Sequence, residues 1–107
     1  MLPDVSDSEL WVAAHVATHP SAMADVVSRG IRPADVADAE AYFVLKHART
    51  LFRSGDLTSL NVLKTELSDN KQWERFGGEE WWSNVLEHGW GEEDDLSYHL
   101  DRIERAT

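Results

Sequence analysis

Cysteine is absent from this chain. That excludes a disulfide framework and a thiolate metal site, and it fits a reducing cytosol. Positive charge is the next shortage, with 10 Lys and Arg against 20 Asp and Glu and a formal net charge of −10. An acidic surface repels phosphate backbones, so direct nucleic-acid binding, which needs a basic footprint, is not expected. A DNA mimic is little better supported, because the acids sit in short clusters and not in a duplex-like ladder. Long apolar runs are missing too. No basic stretch followed by an apolar one opens the chain, and nothing approaches a bilayer span, so a cytoplasmic protein with no membrane contact is expected. There is no internal repeat and no low-complexity tract. No segment alternates with period two for long enough to make a strand.

What is present suits one helical domain spanning residues 1–107. Apolar residues make up 42% of the chain, and five Trp, three Phe and two Tyr can fill much of a small core. The charge is uneven: ten acids and three bases lie from Glu74 onward, ten acids and seven bases before it. The ordinary consequence is a surface kept from self-association.

Local signals divide the chain into about six helices. Val5-Ser6-Asp7-Ser8-Glu9-Leu10 reads as a capping box, with Ser6 as N-cap, Glu9 reaching back to it, and Val5 and Leu10 as a hydrophobic staple. A first helix is expected from about Asp7 to His19, stopped by Pro20. Its apolar residues run nearly all the way round, as in a helix buried on several sides. A short helix from Ser21 to Ser28 should end at Gly30, followed by a helical turn at Arg32-Pro33-Ala34-Asp35. Asp38 then caps the longest helix, Ala39 to Ser54, closed by Gly55, with Ala41, Val44, Leu45, Ala48, Leu51 and Phe52 on one face. Ser59 or Thr58 caps a fourth helix to about Leu67 that buries Leu60, Leu63 and Leu67. Asp69 to Gly78 reads as a loop anchored by Trp73 and Phe76. A fifth helix follows from Glu79 to His88. A sixth runs from about Asp95 to Ala106, with Leu96, Leu100 and Ile103 at helical spacing.

The order of these features resembles the N-terminal domain of the DnaB-type replicative DNA helicase, over about Ser8 to Ala106. Val12-Ala13-Ala14-His15-Val16-Ala17-Thr18-His19-Pro20 takes the place of that family's opening helix of small and aliphatic residues. Gly30-Ile31-Arg32-Pro33-Ala34-Asp35-Val36 matches its glycine-leucine-x-proline-x-aspartate-phenylalanine turn. Leu51 to Gly55 matches the end of its long helix, and Leu67 the end of a shorter one. Gly77-Gly78-Glu79-Glu80-Trp81-Trp82 stands where the family has a glycine pair before an aromatic and a leucine, and Tyr98 to Ile103 matches its tyrosine-led last helix. The departures are Ala41-Tyr42, where a histidine-arginine pair is usual, and Val36 for phenylalanine. The family's domain also continues into a helical dimerisation hairpin, and this chain stops soon after that hairpin's first helix would begin. The resemblance implies a compact, orthogonal all-α head without catalytic groups or cofactors. Its partners would be helicase subunits, primase or a loader, and weak homo-oligomerisation is compatible with it. A free-standing phage- or plasmid-type relative that regulates a host helicase or primase is the alternative. A small helical metal protein or hydrolase is the competing class.

Catalytic and metal signals are thin. No Gly-x-x-x-x-Gly-Lys-Ser/Thr loop is present to cradle phosphates. His15 and His19 stand at i, i+4, which is metal-pair geometry, but the intervening residues lack the base of a zinc protease helix. A histidine at a helix end favoured by the dipole is the simpler reading. Glu92-Glu93-Asp94-Asp95 lacks the oxygen spacing of a calcium loop and reads as a solvated helix start. Two surface features point toward partners. Trp81, at the edge of the buried face that Trp82 and Val85 define, could anchor an interface together with Trp90, against the alternative of a wholly internal aromatic core. Tyr42, Lys46, Arg49 and Arg53 form a stripe at i, i+4, i+7, i+11 opposite the core face of the long helix. It suits an acidic partner surface, against the alternative of a solvated polar face.

Overall fold

A computed structural model describes residues 5–88 and 93–106 of the chain. Seven α-helices occupy those residues, with no strand among them: α1 Ser6–Thr18, α2 Met23–Ser28, α3 Ala39–Ser54, α4 Leu60–Ser68, α5 Gln72–Arg75, α6 Gly78–His88 and α7 Glu93–Ala106. Single 3₁₀ turns at Pro20–Ala22 and Pro33–Asp35 precede α2 and α3. Each turn begins at a proline, whose fixed φ suits a first helical position.

The central element is α1, which packs against α3, α4, α6 and α7. Its residues from Trp11 through Ala17 all lie inside, whereas Leu10, expected in a hydrophobic staple, is 36% exposed. Ala13, Ala14 and Ala17 leave room for neighbouring backbones to approach, while Val12 and Val16 fill the interior. Met23, Phe43, Val44, Leu45, Leu63, Leu67, Trp82, Leu96, Leu100 and Ile103 join them in one continuous core. The Cα radius of gyration, 12.8 Å, is near the roughly 13 Å expected for a folded chain of this length.

The helix ends follow local chemistry. The Asp38 carboxylate accepts the Ala41 N–H at 3.0 Å and starts α3, and the Ser59 hydroxyl accepts from Val62 and starts α4. Gly55 ends α3 in the left-handed region at φ 79°, where the Asp56 N–H reaches back to the Leu51 carbonyl at 2.9 Å.

Three expectations need correction. The capping box at the start of α1 does not form: Val5 occupies the N-cap position without a side-chain bond. Glu9 is buried instead, 2% exposed, and its carboxylate accepts the Ala37 N–H at 3.0 and 3.1 Å and the Asp38 N–H at 2.9 Å. A carboxylate taken out of water needs such donors, and the entry to α3 supplies them. The segment 69–78 is not all loop, because α5 forms around Trp73, which is buried as an anchor should be. The inner face of α3 is wider and rotated: Phe43 is buried, whereas Phe52 is 36% exposed. The reason is packing on the flank of α3, where Phe43 stacks on Phe76 with centroids 5.1 Å apart and His47 faces Glu66 and Asn70.

Candidate docking surface

The α3 stripe emerges as the spacing indicates. Tyr42 is 40% exposed, Lys46 and Arg53 are exposed, and Arg49 is half-buried. The Lys46 ammonium stands 5.8 Å from the centre of the Tyr42 ring, within cation–π range. Four of the chain's ten bases, Arg29, Arg32, Lys64 and Arg102, make ion pairs. Lys46, Arg49 and Arg53 have no carboxylate within 4 Å among the described residues. Lys71, Arg75 and Arg105 also lack an ion-pair partner among the described residues, the first two at α5 and the third near the end of α7. One side of α3 thus concentrates unpaired cations around an exposed aromatic ring. The helix carries three bases and one acid, Glu40, in a chain of net charge −10.

Trp81 and Trp82 divide between surface and core. Trp82 is buried and Trp81 is half-buried. Both lie against Trp73, at centroid distances of 6.3 Å for Trp81 and 6.2 Å for Trp82. The arrangement depends on Gly77, whose φ is 108° and whose added Cβ would stand 2.9 Å from the Trp81 Cβ. Burial pushes the Glu40 carboxyl above the usual glutamate range and the Asp38 charge adds to this, while a hydrogen bond from the Trp81 side chain opposes both. Trp81 is therefore fixed on one flank and open on the other, the posture of an interface anchor. Trp90, its expected companion, lies outside the described residues.

The histidines are arranged by stacking. His99, Trp11, His15 and His19 form a column with centroid separations of 4.5, 4.8 and 4.6 Å. His15 is 2% exposed inside it. Among the described residues no group of three or more His, Asp or Glu side chains is placed to hold a metal ion. At the His99 end of the column, the Ser8 hydroxyl accepts from the Arg102 guanidinium at 2.8 Å and lies within hydrogen-bond distance of His99 Nδ1, also at 2.8 Å. Burial holds His99 below the usual histidine range; the Arg102 charge adds to this, and Asp7 and Asp95 oppose it. The set joins α1 to α7, reinforced by Arg102 on Asp7 at 3.0 Å. Arg29 does the same for α2 and α7 through Asp101 and Ser97.

An open depression of about 310 Å³ between α3 and α4 is lined by Leu51, Asn61, Val62, Thr65 and Glu66. Glu66 is its lone ionisable group. Of the run 92–95, Glu92 lies outside the described residues, α7 begins at Glu93, and Asp95 is exposed. No helix among the described residues is long and apolar enough to cross a membrane.

Sequence reasoning missed the buried Glu9 and the Ser8–His99–Arg102 link. One signal for the first was available: Glu9 stands two positions before the nearly all-round apolar run of α1 from Trp11 to Ala17. No local signal marks the second, whose partners are separated by more than ninety positions.

No family model, curated protein or solved structure matches the chain.

Proposed function

We propose that this domain is a non-catalytic protein-docking head of the DnaB-type replicative helicase kind, an assembly module in DNA replication that contacts primase or other helicase subunits. The observation that carries the docking part is the outer face of α3, where Tyr42, Lys46, Arg49 and Arg53 stand together without an acidic partner among the described residues. Cations of that kind steer an acidic surface into register, and an aromatic ring among them supplies contact area. Trp81 offers a second anchor on α6. The replication part rests on the ordered sequence features that resemble the helicase head, from the alanine-rich first helix through the proline turn and the glycine pair to the tyrosine-led last helix.

A free-standing regulator of a host helicase or primase uses the same face and remains the second reading. Light scattering tests the docking function, run on the protein alone and mixed with the cognate helicase and primase. The proposal expects a stable mixed complex with at least one of them. Independent elution in every mixture would refute it.

A further inference from the structure

We propose that the α3 stripe of one copy docks on the acidic outer face of α6 of a second copy. This rests on reading α3 as a docking face, and it names an occupant for that face. The outer side of α6 presents Glu80, Ser83 and Glu87 at i, i+3, i+7, all exposed. Lys46, Arg49 and Arg53 have the same spacing on α3. In both helices the outer charges of the set stand seven residues apart, about 10.5 Å along the axis. Laid side by side, the two helices bring Lys46 and Arg53 opposite the two glutamates together, and the central positions are Arg49 and the small Ser83. Antiparallel alignment adds favourable helix dipoles.

The complement is unsatisfied within one copy. Glu80 and Glu87 have no cation within 4 Å among the described residues, whereas their neighbour Glu79 is held by Lys64 at 2.9 Å. Both α3 and α6 pack inward on α1, and no ion pair joins their outer faces within one copy among the described residues. A contact between unlike faces repeats from copy to copy and builds a ring or an open row. Whole-molecule repulsion between bodies of net charge −10 opposes it at low salt. At about 0.15 M salt that repulsion is largely screened beyond roughly 8 Å, while pairs in contact persist. Association should therefore be strongest at intermediate ionic strength.

Sedimentation velocity over a concentration series, at low, about 0.15 M and about 1 M salt, tests this. Three full-length proteins are compared: wild type, K46E/R53E and E80K/E87K. Circular dichroism checks that each keeps its helicity. The wild type should associate reversibly, most strongly at the middle salt. Each reversed protein alone should associate at least about tenfold more weakly. Their equal mixture should recover association, because opposite charges face each other again at every contact. Should a reversed protein lose helicity, the neutral pairs K46Q/R53Q and E80Q/E87Q replace it, with weakening expected in each. A wild type that stays monomeric at every salt overturns the proposal. So does a reversed protein that associates like wild type, or a mixture that stays monomeric. A monomeric wild type that still binds helicase or primase removes this proposal alone and leaves the docking function standing.

Discussion

Glu9 connects two elements through one carboxylate. Replacing it with alanine leaves the Ala37 and Asp38 N–H groups facing an apolar interior, and the loss of hydrogen bonds to a charged group puts the cost at about 3 kcal/mol. Urea denaturation of Glu9→Ala should show this as a lower midpoint with an unchanged slope. His99 gives the pH dependence. Its folded-state pKa lies below the ordinary 6.5 because burial disfavours the cation. Between that value and the lower folded-state one, the unfolded chain binds a proton that the folded chain does not. The stability tied to His99 is thus complete above about pH 6.5 and declines as pH falls through this window. The difference in urea midpoint between about pH 7.5 and 5.5 should shrink in His99→Gln. An unchanged difference would assign the slope to other groups.

At the scale of elements, α3 was fully legible in its limits and only partly in its faces. Asp38 and Gly55 mark its ends by local rules, and both act as those rules say. Gly55→Ala meets no neighbouring atom within 4 Å, so its cost is the left-handed backbone alone, about 1 kcal/mol in thermal or urea unfolding. The inner face was harder to read because a helical wheel assumes one packing partner. With α1 beneath α3, and α4 and Phe76 along its flank, Phe43 enters the core and Phe52 stays at its rim. The short α5 escaped notice for a related reason. Four residues carry too little periodicity to register, and Trp73 holds them by burial. The capping box failed because a buried site elsewhere competed for the same glutamate. The outer stripe of α3, set by spacing alone, could be read directly; the way Trp81 and Trp82 divide between surface and core depended on a fold not yet known.

For the molecule as a whole, the arrangement separates a rigid interior from a charged exterior of uneven sign. The core runs continuously from α1 to α7, and the described ion pairs of longest reach, Arg29 with Asp101 and Arg102 with Asp7, close the last helix against the first two. The unpaired cations of α3 stand outside that network, so reversing them should change association without unfolding the bundle. The α3 face is proposed to engage an acidic protein surface. The most direct test is the affinity of the domain for whichever of the helicase or primase binds it, measured by calorimetry for wild type and for Arg49→Glu/Arg53→Glu at low and high salt. The variant should bind at least about tenfold more weakly, with the salt sensitivity of the wild type largely lost. Equal affinity and equal salt dependence in the two proteins would contradict it.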